Sequence, residues 1–212
     1  MKTRLSALII AIVALNSSSA VLAAGPAGGS AGFGTRPVPC CTNPVAQALS
    51  ADESATLLWM REEEKLARDV YLSLNAKWQD RVFKSIAVSE QRHFDALATK
   101  ITLFGLRDPA LPTVGDFANA DLQVLYDALL TSGQSSLGQA LTVGATIEDL
   151  DIRDLLNALE NTTNVGLQTT YRNLLEGSKN HLRIFVSRLQ ALGLDYTPQY
   201  MDPVLFDAIV GN

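Results

Sequence analysis

Three glutamates and two histidines in this chain could together bind a metal ion. They are Glu64, Glu90, His93, Glu148 and His181. Glu90 and His93 stand three positions apart, so they would share one face of a helix. Carboxylate oxygen and neutral imidazole nitrogen are good ligands for iron, manganese and zinc. These residue types indicate a metal site, provided that the fold brings them together.

Each of the five residues interrupts a stripe of apolar side chains. Apolar residues that recur every three or four positions mark the buried face of a helix. The four stripes are Leu57, Met60, Glu64, Ala67, Tyr71 and Leu74; Phe83, Ile86, Glu90, His93 and Leu97; Leu141, Ala145, Glu148, Ile152, Leu155 and Leu159; and Tyr171, Leu174, Ser178, His181 and Phe185. We therefore expect all five residues to face the core. Glu62 and Asp69 lie off the stripe and are expected on a solvated face.

Burial of three carboxylates needs a compensating positive charge. An isolated buried ion loses hydration worth several kcal/mol. None of the four stripes contains a Lys or an Arg. A bound cation would supply the charge and would lower the pKa values of the acids. The alternative is that one or more acids stay protonated and form ordinary hydrogen bonds.

The segments that carry these residues are predicted to be helices. Ser50 and Glu53 have the spacing of a capping box, Asp80 could cap a second helix, and Gly193 would end the last one. The predicted helices run from about 50 to 74, 80 to 103, 121 to 130, 136 to 159 and 165 to 192. A Pro- and Gly-bearing segment follows the second helix and is long enough to cross a bundle. We therefore expect an all-α fold, a four-helix bundle whose long crossover between helices 2 and 3 carries a short extra helix.

The composition is typical of one ordinary packed domain. The 212 residues are 47% hydrophobic and 18% charged, which does not fit a collagen or a disordered polyanion. Seventeen basic residues against 22 acidic ones give a net charge of −5, without a run of Lys or Arg. Nucleic-acid-binding proteins normally carry a basic surface. We therefore expect that nucleic acid is not a partner. The candidate ligands predict metal ions as partners, and the sequence leaves the oligomeric state open.

The first 23 residues have the layout of a secretory signal peptide. Lys2 and Arg4 precede an apolar run over residues 5–15, and small residues lead to a cleavage site near Ala23. The run is shorter than the ~20 residues that span a bilayer, which argues against a membrane anchor. We therefore expect export to the periplasm or the extracellular space, and no membrane association once the signal peptide is removed.

The other domain boundaries follow from composition. Residues 24–49 are rich in Gly, Pro, Ala and Ser and are expected to form a flexible leader. Cys40 and Cys41 are neighbours there, and neighbouring cysteines rarely bond to each other, so they would stay free or join another chain. The helical domain is placed at 50–193, and a C-terminal tail at 194–212.

Four motifs resemble a known family. Glu64-Lys-Leu-Ala67 followed by Tyr71 resembles the E-x-x-A-x-x-x-Y first helix of ferritin-like proteins, and Glu90-Gln-Arg-His93 resembles the E-x-x-H of their second helix. Together EEEKLARDVYL, SEQRH, IEDLDIRDL and GSKNHLRIF resemble the DUF2202 group of the ferritin-like superfamily, over about residues 51–192. The resemblance implies a four-helix bundle with a long connection between helices two and three.

The resemblance also implies a role for each candidate ligand. Glu64 would be a terminal ligand, Glu90 a bridging ligand and His93 the nitrogen ligand of a first metal ion. Glu148 would be the matching carboxylate on helix three, and His181 would complete a second metal ion. Asp149 and Asp151 are close enough in sequence to compete with Glu148.

One position departs from the family pattern. Where the pattern has a second E-x-x-H, this chain has Ser178-Lys-Asn-His181, so a hydroxyl replaces the second bridging carboxylate. Glu176 is five positions from His181 and points to another face. About five protein ligands would remain, fewer than the usual six, so the site would be mono- or dinuclear: one metal ion could be weakly held, completed by water, or absent. Tyr71, two turns from Glu64, is the candidate catalytic residue, either as a hydrogen-bond donor to a ligand or in electron transfer.

The implied function is metal binding, with iron as the first choice and manganese or zinc as alternatives. Two reduced irons held by carboxylates and imidazoles react with dioxygen or peroxide, so an oxidoreductase is the first expectation. The second is a metal-binding or sequestering protein without turnover. The third is a structural bundle whose inward acids are protonated.

Overall fold

The computed structural model describes residues 48–211, in which every regular element is a helix. The predictions for the signal peptide, for the leader up to residue 47 and for Cys40 and Cys41 lie outside the described residues. The helices are α1 Ala51–Trp78, α2 Arg81–Leu103, α3 Ala120–Gly133, α4 Leu137–Glu160, α5 Val165–Ala191 and α6 Pro203–Val210. Residues 48–211 contain no strand, so the all-α prediction is confirmed.

Local side chains fix where the long helices begin. Ser50 and Glu53 form the predicted capping box, in which each side chain accepts a hydrogen bond from the other residue's backbone N–H, at 3.0 and 2.9 Å. The side chains of Asp80 and Ser136 cap α2 and α4, each by accepting one hydrogen bond from a backbone N–H of the first turn. α1 runs one turn beyond its predicted end, to Gln79, whose left-handed φ of 54° stops the helix.

The four long helices pack so that each contacts two others. α1 packs against α2 and α4, and α5 packs against the same two helices. Between them the rings of Tyr71, Phe83 and Phe185 lie in mutual contact, with centroids 5.3 to 6.4 Å apart. Gly144 lets α4 approach this aromatic group, because a Cβ there would stand 2.4 Å from the Phe185 ring. The candidate ligands lie on the facing sides of these helices. None of the helices between residues 48 and 211 combines the length and apolarity needed to cross a membrane.

The prediction that Glu62 and Asp69 lie on a solvated face is wrong. Both are buried, with exposed fractions of 4% and 0%. The crossover segment between α2 and α3 folds back over this side of α1 and donates backbone N–H groups to both carboxylates. Ala118 donates to Glu62 at 2.8 Å, and Gly115 donates to Asp69 at 2.9 Å. The burial is compensated by these hydrogen bonds, as buried polar groups require.

Lys65 holds the same crossover segment. Its ammonium is fully buried and donates to Asp69 at 2.6 Å and to the carbonyl oxygens of Thr113 and Asp116 at 2.8 and 3.0 Å. Arg68 pairs with the other oxygen of Asp69. Lys65 therefore holds the crossover directly, and Arg68 pairs with the carboxylate that Lys65 also contacts.

The C-terminal segment, which the sequence predicts to be a tail, contains α6 and is tied to α4. Asp149 is fully buried and accepts hydrogen bonds from the Tyr196 hydroxyl and from the backbone N–H groups of Gln199, Tyr200 and Met201, at 2.6 to 3.1 Å. One buried carboxylate thus fixes a six-residue stretch of chain. Both carboxylate oxygens of Asp149 are occupied by hydrogen bonds from this segment, so Asp149 does not compete with Glu148 as a metal ligand.

Candidate metal centre

The four long helices bring the five predicted ligand residues into one buried cluster. Glu64 comes from α1, Glu90 and His93 from α2, Glu148 from α4 and His181 from α5. The three glutamates are at most 2% exposed, and His93 has the most exposed side chain, at 12%. The cluster thus lies in the core and is nearly closed to solvent.

Glu90 lies between the two imidazoles. Its Oε2 is 2.9 Å from Nδ1 of His93, and its Oε1 is 2.6 Å from Nδ1 of His181. The centroids of the two imidazole rings are 5.6 Å apart. One carboxylate therefore faces two nitrogen atoms with its two oxygens, which is the placement expected of a bridging ligand.

The cluster divides into two groups that share Glu90. The first is Glu64, Glu90 and His93, and the second is Glu90, Glu148 and His181; within each group the ligand atoms lie within 4.8 Å of one another. Nδ1 of His93 is 3.4 Å from Oε2 of Glu64, and Nδ1 of His181 is 3.5 Å from Oε2 of Glu148. Each group offers one nitrogen and two carboxylates to a cation.

Several of these atoms lack hydrogen bonds in spite of their proximity. Oε1 of Glu64, Oε1 of Glu90 and Nδ1 of both histidines are buried and have no partner in hydrogen-bonding geometry among the described residues. Buried polar atoms are nearly always satisfied, so a group of unsatisfied ones requires an explanation. A cation between the nitrogen and the carboxylates would satisfy all four atoms, and the residues present fit such an ion.

Proximity and burial shift the pKa values of the acids strongly. Burial raises the pKa of Glu64 and of Glu148, because an ionised carboxylate loses its hydration in the core. Burial acts on Glu90 in the same direction, but contacts with His181 and His93 outweigh it and lower the pKa of Glu90 to about 2. Glu90 is therefore ionised at neutral pH.

The pKa values of the two imidazoles are raised, whereas burial ordinarily lowers the pKa of a base. Burial alone would lower their pKa values, but the neighbouring carboxylates outweigh burial and raise the pKa of His93 to about 11 and that of His181 to about 10. Two protonated imidazoles could neutralise part of the buried negative charge. Charge alone therefore does not require a cation, and the unsatisfied atoms are the stronger argument for one.

Tyr71 is placed as a hydrogen-bond donor to Glu148. Its hydroxyl lies 2.6 Å from Oε1 of Glu148 and 3.3 Å from the carbonyl oxygen of Gly144. Burial and the charge of Glu148 raise the pKa of Tyr71, so its hydroxyl keeps its proton. Tyr71 thus orients one oxygen of Glu148 and leaves the other facing His181. Its catalytic role stays a prediction.

The Lys and Arg side chains of α1 are directed elsewhere. Within residues 48–211, no Lys or Arg forms an ion pair with Glu64, Glu90 or Glu148. Arg61 pairs with Asp108 of the crossover segment. Among residues 48–211, the cationic partners of these three glutamates at ion-pair distance are His93 and His181 alone.

Sequence reasoning missed two buried acids beside the cluster. Asp151 is 5% exposed and accepts a hydrogen bond of 2.5 Å from Ser178. Its position three residues after Glu148 signals that both acids share one helix face, but spacing alone presents Asp151 only as a competitor of Glu148. Glu63 is also buried, with neither carboxylate oxygen hydrogen-bonded, and burial and the charge of Asp154 raise its pKa. No spacing signal distinguished Glu63, since it lies off the stripe that contains Glu64.

Comparison with known proteins gives three consistent similarities. Residues 53–212 match the family described as "Uncharacterized protein domain (DUF2202)". The chain is 44% identical over 167 residues to "Uncharacterized protein MJ0754" of Methanocaldococcus jannaschii, a match that covers 78% of this chain and 90% of that protein. The crystal structure of hypothetical protein MJ0754 superposes with a TM-score of 0.77, over 78% of this chain and 95% of the other. The match with the family covers every residue of the cluster.

Proposed function

We propose that this chain, which belongs to the DUF2202 family, is a ferritin-like four-helix bundle that binds two metal ions in its core. One observation carries the proposal. Glu90 presents one oxygen to each of two histidine nitrogens, and a further glutamate stands beside each nitrogen. This arrangement offers two adjacent three-residue sites with a shared carboxylate, and hydrogen bonds between its members do not account for it.

Iron is the preferred metal, with manganese and zinc as alternatives. The donor set has three carboxylates and two imidazoles and no thiolate. Oxygen-rich sites with imidazole suit iron and manganese, and ferritin-like bundles hold pairs of these metals with glutamates and Glu-x-x-His motifs. Zinc is commonly four-coordinate, with sulfur or nitrogen ligands in structural sites. The donor set therefore favours iron or manganese over zinc.

The proposed activity is that of an oxidoreductase acting on dioxygen or peroxide. A bound iron pair would supply the electrons for reduction of the oxidant. Glu64, Glu90 and His93 would hold one ion, and Glu148 and His181 would join Glu90 around the other. The apolar stripes would exclude water from both. Because the cluster is nearly closed to solvent, the oxidant must be small.

Holding metal without turnover is the second candidate function. The near-complete burial of the cluster favours it, because a closed site slows the release of an ion as well as the access of an oxidant. The two functions share the same ligands and differ only in whether the bound metal changes its oxidation state.

A ferrous titration separates these functions. Metal-free protein is titrated anaerobically with ferrous iron, then exposed to oxygen, and the remaining ferrous iron is measured with a colorimetric chelator. We expect binding of two ions per chain and rapid loss of the ferrous form. Glu90→Gln should abolish both, whereas Glu176→Gln, an exposed glutamate on α5, should change neither. Bound iron that stays ferrous would favour the second function, and absence of binding would contradict both.

Export is part of the proposal. A signal peptide cleaved near Ala23 would deliver the metal-binding domain outside the cytoplasm, where it would take up its metal. Expression of the full chain in a bacterial host, followed by cell fractionation and N-terminal sequencing, tests this. An uncleaved chain confined to the cytoplasm would contradict the proposed export without bearing on the metal site.

A further inference from the structure

Asp151 stands beside the proposed metal ligands without being one of the five. It lies on α4, three positions after Glu148, so both residues share one face of the helix. Asp151 is 5% exposed. Like Glu148, it faces the space between the long helices rather than solvent.

Ser178 of α5 holds the Asp151 carboxylate from across the core. The Ser178 hydroxyl lies 2.5 Å from Oδ2 of Asp151 and 3.0 Å from the carbonyl oxygen of Leu174. A hydroxyl has one proton to donate. The contact with the carboxylate is the shorter of the two, so Ser178 donates its proton mainly to Asp151. Ser178 lies three positions before His181, so this hydrogen bond holds the Asp151 carboxylate within about one helical turn of the histidine on α5.

The second oxygen of Asp151 has no partner. Oδ1 is buried and accepts no hydrogen bond from any residue between 48 and 211. Leaving a buried carboxylate oxygen unsatisfied is costly, so this oxygen needs a donor or a cation. Burial, with the charges of Glu148 and Glu90, raises the pKa of Asp151 to about 8. Asp151 in turn raises the pKa of Glu64. Oδ1 of Asp151 is therefore the atom of this side chain that a buried cation would satisfy.

We propose that Asp151 is a sixth protein ligand of the metal pair, with Oδ1 directed to the metal and Oδ2 held by Ser178. The inference rests on the proposed function, since it requires that the cluster binds metal. It gives the serine of the Ser178-x-x-His181 motif a defined role, because the carboxylate then comes from the neighbouring helix α4 and the hydroxyl of α5 orients it.

Charge balance supports the sixth ligand independently of geometry. Two divalent ions are neutralised by four carboxylates, whereas Glu64, Glu90 and Glu148 alone leave one positive charge in a buried site. Uncompensated charge is strongly unfavourable in a core. An ionised Asp151 removes this excess charge, with both histidines neutral as metal ligands must be.

Cobalt titration of metal-free variants tests the inference. Asp151→Asn keeps the shape of the side chain and removes its charge, and Ser178→Ala removes only the hydroxyl. The matched control is Asp154→Asn, one turn further along α4, where the carboxylate pairs with Arg153. Loss of a group that orients a ligand typically weakens metal binding about 10- to 100-fold. We expect a loss in that range for Ser178→Ala, a larger loss of at least about 100-fold for Asp151→Asn at one of the two ions, and no change for the control.

A ligand exchange gives a readout that a positioning role would not produce. In Asp151→Cys, a thiolate bound to cobalt adds a sulfur-to-metal charge-transfer band in the near ultraviolet, and an unbound thiol does not. We expect this band to appear and to saturate with the added cobalt. Absence of the band, or an Asp151→Asn variant that binds two ions as tightly as the wild type, would overturn the inference and leave the proposed function intact. A wild-type chain that binds no cobalt, ferrous or manganous ion would instead overturn the proposed function.

Discussion

Gly177 of α5 lies against the imidazole of His93 on α2, so that a Cβ at residue 177 would stand 2.5 Å from Nε2 and 2.6 Å from Cε1 of the ring. The absence of a side chain at this position creates the space that the ring occupies. His93 is therefore oriented by two features at once, the carboxylates near its Nδ1 and the bare backbone of the opposite helix near its Nε2.

Gly177→Ala should damage the metal site without damaging the fold. The added methyl group displaces an imidazole, which can rotate away, while Ala is favoured over Gly in a helix by about 1 kcal/mol. We expect an unchanged or slightly higher melting temperature and a loss of metal affinity at one site of at least about tenfold. Gly138→Ala on α4, where a Cβ would meet the flexible end of Leu194, is the control and should retain full affinity. Full affinity in Gly177→Ala would show that the ring position does not matter.

Tyr71→Phe should weaken both the fold and the metal site. The substitution removes the donor to Oε1 of Glu148 and leaves a buried carboxylate oxygen unsatisfied, which costs about 1 to 3 kcal/mol. Metal affinity should fall about 10- to 100-fold, as for other groups that orient ligands. Tyr171→Phe is a matched control, because the Tyr171 hydroxyl is buried and has no hydrogen-bond partner within the described part of the chain. Urea unfolding and metal titration of both variants give the result; equal effects would argue against a specific role for Tyr71.

Lys65→Met should release the crossover segment from α1. The substitution leaves the buried Asp69 carboxylate without its ammonium partner and two carbonyl oxygens without their donor. Breaking a buried ion pair in this way lowers the free energy of unfolding by about 3 kcal/mol. We expect this loss in urea unfolding, together with faster proteolysis within residues 105–119. The control, Lys179→Met, breaks a surface pair with Glu176 and should cost less than about 1 kcal/mol. A stability loss in Lys65→Met no larger than that of the control would contradict the proposed role of Lys65 in holding the crossover.

Glu53 makes part of the stability dependent on pH. Hydrogen bonds from Thr162 and from the backbone N–H groups of Ser50, Thr163 and Asn164 lower its pKa from 4.5 to about 2. A carboxyl whose pKa is lowered by folding stabilises the protein above its unfolded pKa, and the contribution is lost as the pH falls from 4.5 through 2. Glu53→Gln should therefore cost about 1 kcal/mol at pH 7 and almost nothing at pH 2. The difference between variant and wild type in urea unfolding at the two pH values tests this; a constant difference would contradict it.

Features that depend on nearby residues could be predicted from the sequence. The capping box of Ser50 and Glu53 involves a three-residue spacing, and the shared face of Glu90 and His93 involves the same spacing. Both follow from helix geometry alone. The apolar stripes predicted correctly which side of each long helix faces the core, and this placed the five candidate ligands on inward faces.

Features that depend on distant residues could not be predicted in the same way. Glu62 and Asp69 are off the apolar stripe of α1, and their burial follows only from the course of a loop some 50 positions further along the chain. The relation of Ser178 to Asp151 joins two helices and pairs a hydroxyl with an acid, for which spacing carries no signal. A hydrophobic pattern reports which face is inward and does not report which buried polar groups meet.

Anomalous diffraction from a crystal grown with manganese or iron tests most directly whether the core binds a metal pair. We expect two peaks, about 3.5 to 4 Å apart as in other two-metal sites, one on each side of Glu90. The first should be contacted by Glu64 and His93, and the second by Glu148 and His181. A metal-saturated crystal without a peak among these side chains, in which Nδ1 of both histidines instead donates a hydrogen bond to a carboxylate, would contradict the proposed metal pair.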